Sequence, residues 1–150
     1  MALATTPTTG VGTIFQRRDE DSSGSAYTTI SNIATISGPG FTRETVDTTA
    51  LDTTGGYRTF LTGFRDAGEL TFTMMFYYGG FDLLKDDFES DSAAHYRITL
   101  PDSYSTRIDF DGLVTGMPMT IPPDEKVTCD VTIKISGTVT VQMGDSSGAA

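Results

Sequence analysis

The chain has 150 residues, 37% of them hydrophobic, which suits one domain with one core and leaves little room for a second. Ten basic against twenty acidic residues give a formal net charge of -10, arguing against a protein that grips nucleic acid by neutralising phosphates; the acidity serves either solubility or a function. Cys129 is the single cysteine, so an intrachain disulfide framework is excluded, and its place on an apolar strand face reads as a buried, inert thiol.

Residues 1–27 are rich in Thr, Ser and Gly, with Ile14 and Phe15 as isolated apolar points and a charged run from Arg17 to Asp21. Such a segment cannot bury enough apolar surface to fold alone. It is expected to be either a disordered terminus or an arm that orders against a neighbouring subunit, with Ile14 and Phe15 as anchors. No basic stretch leads into an apolar run here, so no secretory leader is expected, and no apolar run anywhere is long enough to cross a bilayer.

From residue 28 to residue 143 the dominant pattern is period-two alternation, with β-branched and aromatic residues on one parity. Ile30, Ala34 and Ile36 make a weak stripe before Gly38-Pro39-Gly40 turns the chain. Residues 47–65 read as a long polar loop, Thr- and Gly-rich, which in a compact domain is uncommon and usually functional. Leu70, Phe72, Met74, Phe76 and Tyr78 form the next stripe. After Gly79-Gly80, Phe81, Leu84 and Phe88 fall at helical spacing, predicting a short helix over 81–91 with Asp82, Asp86, Asp87, Glu89 and Asp91 around its outer face.

Tyr96, Ile98 and Leu100 and then Ile108, Phe110 and Val114 continue the alternation. The clearest stripe is Val127, Cys129, Val131, Ile133 and Ile135, resuming after Gly137 at Val139, Val141 and Met143. Gly137 therefore marks either a bulge in one long strand or a tight turn between two. One-faced alternation belongs to antiparallel sheets. The fold class expected is all-β, an antiparallel β-sandwich or barrel with one short flanking α-helix; residues 144–150 read as a flexible tail.

The catalytic inventory is short. His95 is the lone histidine and heads a strand, which suits a structural role. No Cys/His metal spacing, phosphate loop or dinucleotide fingerprint occurs. Asp82, Asp86 and Asp87, or Asp109 with Asp111, lack the spacing of a calcium loop. No enzyme, cofactor or metal site is expected. Two classes remain: a self-assembling structural protein, and a β-sandwich binding module of adhesin or carbohydrate-binding type, which the absence of Trp disfavours.

One constellation is more specific. Asp52-Thr53-Thr54 leads into Gly55-Gly56-Tyr57-Arg58-x-Phe60, then Gly63-x-x-Asp66-Ala67-Gly68-Glu69-x-x-Phe72, with Ile36-Ser37-Gly38-Pro39-Gly40 upstream. This stretch resembles the signature of the major tail tube proteins of long, flexible-tailed, lambda-like bacteriophages. The resemblance implies a tail tube fold, homohexameric rings that stack into a tube, and a hairpin loop docking on the next ring. It makes Asp47, Asp52, Gly55, Gly56, Tyr57, Arg58, Phe60, Arg65 and Asp66 inter-ring loop candidates.

The same resemblance implies an acidic bore through which DNA passes as cargo, with Glu44, Asp47, Glu69, Asp109, Asp111 and Asp130 as lumen candidates by sign and position. Its implied partners are further copies of the chain, a tape measure protein in the lumen, and tail terminator and tail tip or baseplate proteins. Its implied location is the virion tail, with assembly in the host cytoplasm. The chain stops soon after Val141, as a tube domain without an appended one would.

Overall fold

A computed structural model describes residues 7–19, 26–51 and 54–144. Along these run β1 (Ile14–Arg18), β2 (Tyr27–Ile30), β3 (Ile33–Ser37), β4 (Thr42–Asp47), β5 (Phe60–Asp66), β6 (Glu69–Met75), α1 (Tyr78–Glu89), β7 (Ala94–Thr99), β8 (Arg107–Gly116), β9 (Met119–Thr120) and β10 (Thr128–Gln142). The main sheet has the order β2-β1-β7-β8-β10-β6-β3, with β9 on β10, and every pairing is antiparallel. β4 and β5 pair only with each other.

The outermost strands of this sheet, β2 and β3, are separated in sequence by Ser31 and Asn32 alone. Two residues span at most about 7 Å, so the sheet must curl until its ends meet. The inward parity then becomes a closed apolar interior. Phe15 of β1 lies 4.8 Å, ring to ring, from Phe72 of β6, which sits near the other end of the sheet order. Phe15 also stacks on Tyr96, and Tyr96 meets Phe110 at 5.8 Å. Leu70, Met74, Cys129, Val131 and Ile133 complete the fully buried interior.

Burial follows the expected parity on β6, β7 and β8 and on β10 as far as Ile135; past Gly137 the stripe is lost, with Val141 and Met143 exposed where the chain runs beyond the core. β10 is one continuous strand: Ser136 pairs with Asp111 and Thr140 with Asp109, so three residues bulge opposite one at Gly137 (φ 88°). Phe76 and Tyr78 leave the stripe because β6 ends at Met75 and the chain turns into α1. Ala34 is exposed because Ile30 and Ile36 lie on two different strands and β3 slips register between Ile33 and Thr35.

Two expectations change more. Residues 14–18 are a paired strand of the subunit's own sheet, and Phe15, at 1% exposure, anchors the domain's own core rather than a neighbour; Ile14 points outward, half exposed. Phe15 looked isolated because the other inward position of β1 is Arg17, a charge. Its guanidinium reaches Asp87 through Nε at 2.6 Å and Nη2 at 2.5 Å, and the Tyr96 hydroxyl donates to the same carboxylate at 2.7 Å. α1 correspondingly starts three residues earlier than expected and turns Leu84 and Asp87 inward, leaving Phe88 half exposed. Residues 1–6 and 20–25 of the expected arm and 145–150 of the expected tail lie outside the described residues.

Breaking a buried pair leaves an uncompensated charge, which costs about 3–5 kcal/mol. Arg17→Met should therefore lower the unfolding free energy by about that amount, read from the urea midpoint. An unchanged midpoint would show that Asp87 finds other compensation and that α1 is not held through this pair.

Candidate assembly surfaces

The β4–β5 hairpin is the element least accounted for by the subunit's own interior. Among the described residues the core contains none from 42–66, and Phe41, Val46, Leu51, Tyr57, Phe60, Leu61 and Phe64 are all exposed. An isolated two-stranded hairpin is marginal in water, and an apolar surface of this extent marks a contact site. The irregular segment is shorter than the expected 47–65 loop, because Phe60–Asp66 pairs back onto Thr42–Asp47 and leaves 48–59 as the tip.

The root of the hairpin explains several residues of the signature physically. Gly38 (φ 110°) and Gly68 (φ 74°) sit where the chain leaves the sheet after β3 and re-enters it at β6. A Cβ on Gly38 would lie 2.5 Å from the Glu69 carbonyl oxygen, and one on Gly68 2.7 Å from that of Gly40. Only glycine satisfies both the left-handed backbone and the close approach. Asp66 accepts the Gly68 N–H at 2.8 Å and lies 3.6 Å from the Lys134 ammonium. Ala67 is buried, and the Gly68 carbonyl accepts the Ile135 N–H at 3.1 Å, tying the root to β10.

At the neck of the tip, threonines replace apolar contacts. Asp47 accepts the Thr49 N–H at 2.8 Å, the Thr48 N–H donates to the Thr59 carbonyl at 2.8 Å, and the Thr59 N–H donates to the Thr49 hydroxyl at 3.0 Å. Gly55 and Gly56 both take positive φ, and Tyr57 stands 79% exposed beyond them. Arg58 is exposed, while Asp52 lies outside the described residues. The Thr49 hydroxyl and N–H hold the Asp47 carboxyl below its ordinary pKa; for Asp66 the Gly68 N–H and then the Lys134 charge do the same.

Further back on the ribbon, Arg43 and Arg65 are direct cross-strand partners, both exposed. Between the hairpin and the free half of β10 lies a cleft of about 840 Å³ lined by Phe41, Phe64, Ala67, Ile135 and Val139 among others. Past Ile135, whose N–H still reaches Gly68, no described strand pairs with β10 on its β6 side. The outer edges of β2 and β3 are open as well.

The six lumen candidates divide between two places. Glu44 and Asp47 ride on the hairpin, whereas Glu69, Asp109, Asp111 and Asp130 share the outward face of the curled sheet. That face is mixed in sign. Arg97 donates to Asp109 at 2.7 Å, His95 Nδ1 lies 2.8 Å from Asp111, and Gln142 donates to Asp109 at 3.2 Å. Asp130 accepts the Thr73 hydroxyl at 2.7 Å and is exposed. The Arg97 guanidinium also covers the Tyr27 ring, 4.1 Å from its centroid. The buried Cys129 thiol is pushed up in pKa by desolvation and then by Asp130, as an inert sulfur would be.

Among the described residues, no group of three or more His, Cys, Asp or Glu could hold a metal ion, and no helix is long and apolar enough to cross a membrane. The geometry is that of surfaces prepared for contact. The sequence profile of the lambda phage tail tube protein family matches residues 9–142. The chain belongs to that family.

Its curled sheet and flanking helix are accordingly the tail tube fold, and it is a structural component of phage-like tails, not an enzyme. No curated protein matches the chain by sequence. Among solved structures, a chain from the C6-symmetric tail of an empty gene transfer agent particle aligns with TM-score 0.68 at 18% identity, covering 86% of this chain and 95% of that one. The SPP1 tail tube aligns with TM-score 0.67 at 10% identity over 92% and 80%. The sheath–tube complex of an extracellular contractile injection system gives 0.68 at 12% identity over 92% and 93%. Identities this low show the shared fold of this tail tube subunit.

The hairpin root carries a pH dependence with a definite sign. Because the Asp66 carboxyl is held below its ordinary value, its support is fully present above about pH 4 and is lost as the pH falls through its lowered folded value. Hydrogen-exchange protection of the Gly68 amide should fall over that acid range in the wild type. In Asp66→Asn it should be lower at neutral pH and flat with acidification; identical profiles would mean that Asp66 does not hold the root.

Proposed function

We propose that six copies of this chain close into a ring by pairing their open sheet edges, and that the rings stack head to tail with each hairpin reaching onto the next ring. The observation that carries this is the hairpin: its apolar side chains face solvent and none enters the core. A subunit that met no neighbour would leave that surface wet. Open edges are a hazard in a monomer, but in a closed ring edge joins edge and none is left over. A C6-symmetric tail among the structural neighbours supports six as the number. The alternative of an adhesin or carbohydrate-binding module gives way to the family assignment.

In this reading the ring encloses a bore that passes DNA without binding it. The outward face of the sheet supplies the wall, on which Glu69, Asp109, Asp111 and Asp130 stand among Arg18, Arg97, Arg107 and Lys134, so that no excess of positive charge meets the DNA. Only charges on the wall itself act on passing DNA, since screening limits their reach to about 8 Å at physiological salt. Assembly takes place in the host cytoplasm around a tape measure protein, and the finished tube meets a terminator at one end and tip or baseplate proteins at the other. Neighbours from a contractile-system baseplate and from a sheath/tube terminator support contacts of that kind.

Negative-stain microscopy of concentrated protein, alone and with tail-initiation components, should show rings or tubes of uniform diameter; monomers in both preparations would overturn the proposal. Tyr57→Ala with Phe60→Ala should give a folded, soluble subunit that fails to elongate, because both rings are exposed and outside the core. Loss of folding in that variant would return those side chains to the subunit's own interior. Glu69→Lys with Asp130→Lys should leave tubes intact and slow DNA ejection. Normal delivery would remove these carboxylates from the wall.

A further inference from the structure

The opposed arginines of the hairpin point to a particular contact. Arg43 and Arg65 are cross-strand partners, with Cα atoms about 4.5–5.5 Å apart, and like charges placed so destabilise a ribbon. Among the described residues neither forms an ion pair: the adjacent Asp66 is turned to Lys134, and Glu44 lies against Gly63. Phe41 stands exposed two residues before Arg43 and shares its parity on the ribbon. Two forked guanidiniums beside an aromatic ring suit an anionic, partly apolar protein surface, where carboxylates can be held bidentately and water excluded.

The helix of another copy has the complementary chemistry. Asp82, Asp86 and Glu89 recur at i, i+4 and i+7 on the exposed side of α1, and among the described residues only Glu89 of the three is ion-paired, to Lys85 at 3.6 Å. Asp82 and Asp86 repel each other at about 5–6 Å between Cβ atoms, close to the spacing of the two arginines. The last turn of α1 holds no basic residue, although its carbonyl ends favour one. Tyr78, four residues before Asp82, is exposed on the same face of the helix.

We infer that Arg43 and Arg65 of one subunit dock on Asp82 and Asp86 of a second copy, with Phe41 packing beside Tyr78. The contact rests on the stacking proposed above and names its partner surface. Each surface alone stores like-charge repulsion, of opposite sign, which the contact relieves. It is heterologous, hairpin to helix, so it propagates from ring to ring instead of closing on itself. Nucleic acid is the weaker partner because phosphates offer nothing to Phe41, and the net charge of -10 repels them.

Charge exchange tests it. Arg43→Glu with Arg65→Glu, and separately Asp82→Lys with Asp86→Lys, should each stay folded by thermal melting while raising the concentration needed for assembly at least about tenfold. Mixing the two variants one to one, or combining all four substitutions in one chain, should restore assembly to near the wild-type concentration. Assembly of the arginine variant at the wild-type concentration, or failure of both rescues, overturns the contact while wild-type tubes leave the stacking proposal standing. A wild type that never assembles, even with initiation components, overturns both. Loss of duplex DNA binding in the arginine variant with assembly unchanged would assign the pair to phosphate and overturn the contact.

Discussion

The two residues between β2 and β3 constrain everything else in the subunit. Because Ser31 and Asn32 must join opposite ends of one sheet, the sheet cannot lie flat, and its concave parity becomes an interior that needs only one short helix to complete it. Curling also brings β1 against β6, which is why rings as distant in sheet order as Phe15 and Phe72 touch. A closed interior leaves the convex parity to water or to neighbours. It leaves open edges too, because β2 and β3 are joined through the chain without being hydrogen-bonded to each other.

The hairpin is what this closure does not absorb. It leaves the sheet at Gly38-Pro39-Gly40 and returns at Asp66-Ala67-Gly68, where backbone meets backbone too closely for any side chain. That root is rigid and tied to β10, whereas the tip is held by threonine hydroxyls and backbone bonds with little apolar area. A stiff base and a polar tip suit an element whose aim is fixed by its own subunit and whose seat is supplied by another. Core stability and assembly thus fall on different residues, so changes in one need not disturb the other.

Alternation made most of the body legible, since Leu70, Phe72 and Met74 or Cys129, Val131 and Ile133 can share a face only in a half-buried strand. Gly137 was readable as a bulge or a turn, and pairing on both sides of it decides for the bulge. What escaped was burial of charge. Hydropathy scores Arg17 and Asp87 as solvent-facing, yet they neutralise one another inside, so β1 lost its second inward residue and α1 its true inner face. Single-residue patterns cannot register a pair 70 positions apart. Similarly, β4 and β5 have no buried side to alternate with, so the ribbon reads as loop.

The charge distribution follows from this division. A subunit of net charge -10 resists premature association through its own field, and yet in the proposed tube it stacks on identical copies. Uniform acidity would forbid that. A hairpin bearing Arg43, Arg58 and Arg65 provides local patches of opposite sign at the part of the chain farthest from core constraints. Long-range repulsion among whole subunits is screened at physiological salt, while a contact made at close range and flanked by excluded water is not. In the proposed contact the general repulsion therefore limits chance encounters, and the arginines would act only when hairpin and partner surface are already aligned.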